Sequence, residues 1–81
     1  MENDKIKLIV KEYLEKETKR KIDDTSANLI SGGYLDSFMI IKLITFVENS
    51  FEIEIDIDSI SEDSFNSIDR ITEQIVKWKN K

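Results

Sequence analysis

Cysteine and histidine are both absent from this chain of 81 residues, and so is proline. Without thiols there can be no disulfides and no thiolate metal sites; without imidazole, the commonest metal ligand and general base is gone. A serine nucleophile of the hydrolase kind would have no histidine to activate it. Glycine is nearly as scarce, its two copies standing side by side at Gly32 and Gly33, so the backbone has one strong break. The longest apolar run, residues 38 to 41, falls far short of the roughly 20 residues that span a bilayer. The N-terminus lacks the basic start and apolar run of a signal peptide. These absences predict a cytoplasmic protein with no membrane span, no metal and no catalytic machinery of its own.

Charge, by contrast, is abundant and unevenly placed. The net charge is -5, yet residues 1–21 hold seven Lys or Arg against five acids, and residues 22–81 hold five against twelve. The acidic excess argues against a nucleic-acid binder, which needs clustered cations facing phosphates. It suits a protein partner with a basic docking surface. The length allows one core, so one domain over residues 1–81 is expected.

Apolar residues at Ile6, Ile9, Val10, Tyr13 and Leu14 recur at the spacing of one helix face, predicting a helix over residues 4 to about 18 with Asn3 or Asp4 as its cap. Residues 19 to 35 read as a long polar loop pinned by Leu29, Ile30, Tyr34 and Leu35. A second helix is expected from Ser37 to residue 49 or 50, with Asp36 as its N-cap. Its inward stripe would be Ile41, Ile44, Val47 and Phe51, widened by Phe38, Ile40, Leu43 and Phe46, which makes it the expected central, most buried helix.

Strict alternation from Phe51 to Asp58 has the period of a strand, but no second run exists to pair with it. An extended segment lying across the helices is therefore expected. Residues 59 to 65 are read as a short helix with Ile60 and Phe65 inward, and a last helix, capped by Asn66 or Ser67, carries Ile68, Ile71, Ile75 and Trp78. The fold class is all-α: a small bundle of three main helices plus one short one, with a long loop between the first two.

The run Gly33, Tyr34, Leu35, Asp36, Ser37, Phe38, followed by an apolar helix and then Phe51, Glu52, Ile53, Glu54 and Ile55, resembles the signature of acyl and peptidyl carrier proteins. The family pattern is glycine, two residues, then Asp-Ser-Leu. Phe38 replaces the leucine, which is similar to the Asp-Ser-Phe variant of D-alanyl and stand-alone carriers. The resemblance extends over nearly the whole chain and implies the acyl-carrier type of four-helix bundle.

It further implies that a phosphopantetheinyl transferase moves 4′-phosphopantetheine from coenzyme A onto the Ser37 hydroxyl. The arm's thiol would then hold an acyl or aminoacyl group as a thioester, loaded by a ligase and passed to a downstream transferase or synthase. The reactive sulfur would belong to the cofactor, in keeping with a chain that has no cysteine. A phosphodiester at a helix start would sit beside unpaired amides and the positive dipole end. Gly33 would let the loop turn sharply, Asp36 would cap the helix and be recognised by the transferase, and Phe38 would complete the cofactor-binding motif.

In fatty-acid carriers the exposed side of the central helix is typically acidic. Here it offers Met39, Lys42, Thr45, Asn49 and Ser50, leaving Glu48 as its one acid. Partner docking is therefore assigned to Met39, Ile40, Lys42 and Glu48, with a more apolar contact at Met39 and Ile40 weighed against plain core packing. The acids Glu52, Glu54, Asp56 and Asp58 do not make an EF-hand loop, because the sixth and twelfth places counted from Asp56 hold Ser61 and Ser67. A solvated acidic face is expected instead. A monomeric carrier is the leading reading; the competing one is an unmodified helical adaptor that binds a partner through the same apolar helix.

Overall fold

The computed structural model describes residues 2–56, 58 and 60–80, and the side chains of all of these except Glu2 and Glu62. Its elements are helix α1 (Glu2–Thr18), helix α2 (Ser37–Phe51), a 3-10 turn (Glu62–Phe65) and helix α3 (Ile68–Lys79), with no strand among the described residues.

Ile6, Val10 and Leu14 recur every four residues along α1 and are buried, whereas Ile9 lies at the surface. The helix already runs at Glu2, so Asn3 and Asp4 are helical residues and neither is its cap. Its end is made by Lys19, whose φ of 57° is left-handed and cannot continue a right-handed helix.

The loop of residues 19–36 has no regular structure but few free backbone groups at its anchors. Ile22 is buried, and its N–H donates to Glu15 Oε2 at 2.8 Å. Leu29 is fully buried; its N–H donates to the Asn66 carbonyl at 2.6 Å, and its own carbonyl accepts from Tyr34 at 2.8 Å and Leu35 at 3.1 Å. Near α3, Asp69 N–H donates to the Thr25 carbonyl at 3.0 Å. The loop is thus stitched to the start of α3 by main-chain bonds, which removes the desolvation cost that buried amides would otherwise carry.

Leu43, Ile44 and Val47 form the buried face of α2, with Ile40 and Phe51 packed beside them. Ile41 is 59% exposed and Phe38 69% exposed. The inward stripe is therefore displaced from the expected one, which placed Ile41 inside. In a helix apolar nearly all round, periodicity cannot select the buried face; the neighbouring elements do. Nor is α2 the most buried helix. That place belongs to α3, where Ile68, Ile71, Thr72, Ile75 and Trp78 are all buried.

Phe51 closes α2 rather than opening the extended segment, and Glu52, at φ 55°, is the left-handed residue that stops the helix. Residues 53–56 run extended without a ladder partner, Ile55 turned into the core. Ile57 and Ser59 lie outside the described residues. The expected short helix is one 3-10 turn of four residues; Ser61 at its start makes no side-chain cap bond. It still buries Phe65, whose ring meets Trp78 edge-on at 6.2 Å. Ser67, itself buried, caps α3 by accepting from Arg70 N at 3.1 Å.

α1 and α3 pack directly on one another. At their crossing Lys7 Nζ lies 2.9 Å from Asp69 Oδ1. Hydrogen bonds from Lys7 and then Thr25 hold the Asp69 carboxyl below its ordinary range. A carboxyl whose pKa is lowered by folding adds stability above its unfolded value, and that stability is lost as pH falls through the folded value. Denaturant stability should therefore drop as pH is lowered through and below about 4, the ordinary aspartate value, and Asp69→Asn should flatten that part of the profile. In the fully buried centre of α3, Ile71→Ala should cost about 2–5 kcal/mol in urea unfolding at neutral pH.

Candidate functional site

The loop meets α2 at a turn built for a glycine. Gly33 has φ 81°, and Gly33 N–H donates to the Ile30 carbonyl at 3.2 Å. Gly32 is packed so closely that an added Cβ would come within 2.8 Å of the Asn28 carbonyl oxygen. Arg20 clamps this turn from the end of α1: its guanidinium stacks over the Tyr34 ring at 4.0 Å, and Nη1 donates to the Gly32 carbonyl at 3.4 Å. Arg20 carries no motif of its own and sits in a basic run, so sequence reading had no signal for this contact.

Leu35 is buried and anchors the last step of the loop; Asp36 and Ser37 then emerge exposed. Asp36 is in extended backbone, and its Oδ1 accepts from Met39 N–H at 2.8 Å, as an N-cap requires. Its carbonyl accepts from Ile40 N–H at 2.9 Å. Among the described residues nothing accepts from the amides of Ser37 and Phe38, at the positive end of the helix. Ser37 is the first residue of α2, and its hydroxyl is held by no protein hydrogen bond among the described residues.

This arrangement has the features that attachment of a phosphate-linked group calls for. Ser37 is exposed, and the first amides of the helix lie beside it. With no histidine in the chain, Ser37 lacks the imidazole partner of the usual serine nucleophile.

The chain is 31% identical to a D-alanyl carrier protein of Streptococcus uberis (strain ATCC BAA-854 / 0140J) over 58 residues, covering 72% of this chain and 73% of that one. This chain belongs to the carrier-protein family. No family model matches it. Membership of that family supports a carrier role for this chain.

Against this background the other sequence-selected residues divide by their surroundings. Phe38 stands out beside Ser37, with Lys42 Nζ 5.7 Å from its ring centre. Met39 and Ile40 are half-buried against the core. Lys42 is ion-paired with Glu17 of α1, a bond that holds its ammonium above the ordinary range. Glu48 is drawn away from solvent work: its Oε2 accepts from Ile55 N–H at 2.9 Å and its carbonyl from Ile53 N–H at 3.2 Å, which fixes the course of the extended segment. Ile41 is the exposed apolar residue that sequence reading had placed in the core. Among the described residues no helix is long and apolar enough to cross a membrane.

Replacing Gly33 by alanine forces a side chain into the left-handed region, a cost of about 1–2 kcal/mol. Gly33→Ala should lower the urea midpoint accordingly while far-UV circular dichroism stays helical.

Proposed function

We propose that this carrier protein bears a 4′-phosphopantetheine arm on Ser37 and presents an acyl or aminoacyl group, held as a thioester on that arm, to partner enzymes. The observation that carries the reading is the exposed, unbonded Ser37 hydroxyl at the first residue of α2, directly after the capping Asp36. A phosphopantetheinyl transferase would supply the base and the coenzyme A. Ser37 Oγ then forms the new bond to phosphorus, the bond to the adenosine bisphosphate breaks, and the hydroxyl proton passes to the enzyme. The open amides of Ser37 and Phe38 would hold the phosphodiester. The arm itself supplies the thiol that the chain lacks.

Gly33 and Asp36 serve this site by position, the one turning the loop and the other ordering the helix start. Phe38, Met39, Ile40 and Lys42 form the surface next to Ser37 on which a transferase, a loading ligase and a downstream transferase or synthase would dock. Glu48 would take part only through its outward methylene groups, since its carboxylate is engaged. The relative is a D-alanyl carrier protein, which makes an aminoacyl thioester one candidate and an ordinary acyl group the other. We read the chain as one domain over residues 1–81, acting as a monomer in the cytoplasm.

The exposed Phe38 and Ile41 also favour a second reading, an unmodified helical adaptor. One experiment separates the two. Coexpression with a broad-specificity phosphopantetheinyl transferase should raise the intact mass by one arm, and Ser37→Ala should abolish the gain. A folded wild-type protein with no gain in mass defeats the carrier reading, and an adaptor would keep its full activity in the Ser37→Ala variant.

A further inference from the structure

Arg20 is exposed and stands in a run of cations, yet among the described residues it has no carboxylate partner. Its guanidinium is committed instead to the far end of its own loop. It stacks over the Tyr34 ring at 4.0 Å, its Nη1 donates to the Gly32 carbonyl at 3.4 Å, and the same nitrogen lies 3.7 Å from where a Cβ on Gly33 would stand. One side chain thus covers three consecutive residues of the turn.

The backbone that carries Arg20 is pinned on both sides. Before it, Thr18 Oγ1 donates to the Leu14 carbonyl at 2.7 Å and accepts from Arg20 N–H at 3.3 Å. After it, Ile22 is buried and its N–H is bonded to Glu15. The contact therefore has side-chain rotamers to order, but not the backbone as well.

The turn that Arg20 reaches is weakly held at its tip. Residues 31–33 are exposed, and their N–H groups bond to Asn28 and Ile30 within the same turn. A tip of this kind can open locally without unfolding the core. The bonds of Tyr34 and Leu35 to the Leu29 carbonyl close the base of the turn, and Arg20 closes the tip. From there the chain passes through Leu35 directly to Asp36 and Ser37.

We infer that Arg20, through its stack with Tyr34, is a positioning residue for arm transfer: it holds the loop in the form that offers Asp36 and Ser37 to the transferase. The inference rests on the arm being carried by Ser37. Arg20 acts before docking, by setting the fraction of molecules whose loop is closed. Apparent affinity falls in proportion to that fraction, so a closed population cut to about one fifth raises KM about fivefold. The docked complex already holds the closed form, so kcat stays the same. A loss of global stability alone would move neither constant, since a domain of ordinary stability stays almost wholly folded after losing one contact.

The test uses the full chain and a broad-specificity transferase at saturating coenzyme A, with arm addition followed by intact mass over a range of carrier concentrations. Arg20→Met and Tyr34→Leu should each raise KM about fivefold at unchanged kcat, while Tyr34→Phe, which keeps the ring, stays at the wild-type value. The double variant should again rise about fivefold rather than about 25-fold, because the two residues act as one clamp. Circular dichroism should stay helical throughout. In nitrogen-15 spectra of Arg20→Met, the Gly33 and Tyr34 amides should exchange with solvent faster than in the wild type, with those of Leu43 and Ile71 unchanged. A wild-type KM in Arg20→Met would overturn the inference and leave the carrier reading standing. So would a fall in kcat, which places Arg20 in the reacting complex, or multiplied effects in the double variant, which assign Arg20 and Tyr34 to separate contacts with the transferase. Lost helix in Arg20→Met would overturn it too, by making the residue a general support of the fold. With no mass gain in the folded wild type, the carrier reading and this inference fall together.

Discussion

Leu29 is the residue on which the displayed site depends. Its side chain is buried without residue, its N–H reaches the Asn66 carbonyl, and its carbonyl takes the amides of Tyr34 and Leu35. A loop of this length would lose too much conformational entropy to stay ordered on side-chain contacts alone. Fastening both the side chain and the main chain of one residue to the start of α3 fixes the turn at Gly33, and that turn fixes the first residue of α2. The exposed serine is thus held by a buried leucine eight residues earlier.

Helix α2 divides its apolar residues between two tasks. Leu43, Ile44 and Val47 hold it to the core; Phe38 and Ile41 stay at the surface, leaving apolar area in water that a purely structural helix would bury. Tyr13 and Phe46 sit between the two sets, half-buried and stacked, and join α1 to α2. The ion pair of Lys42 with Glu17 ties the same two helices together and keeps an otherwise mobile cation in place. Strength lies on one side of the helix and availability on the other.

Much of this was legible beforehand. The four-residue recurrence of Ile6, Val10 and Leu14, the three-and-four spacing of Ile68, Ile71, Ile75 and Trp78, and the caps Asp36 and Ser67 are local signals, and local hydrogen bonds decide them. Ser37 was legible for the same reason, since a cap, a glycine turn and a helix start are all written within five residues. Ile41 was misread because α2 is apolar on most sides, and only the position of α1 and α3 determines which side is covered. The contacts of Arg20 and Ile22, and the bond that turns Glu48 from docking to holding the extended segment, were not legible because their partners, Gly32 and Tyr34, Glu15, and Ile55, are separated from them along the chain by loops or helix ends that periodicity does not see.

By itself, the order of residues determined an all-helical chain with one serine placed at a capped helix start, because helix periodicity and capping are properties of neighbouring residues. Only the tertiary structure decided which face of α2 is buried, that α3 is the innermost helix, and that Tyr13 and Phe46 stack between α1 and α2. Burial is a property of what lies opposite a side chain. In a chain that can bury either of two apolar faces, that choice is made by the whole core at once.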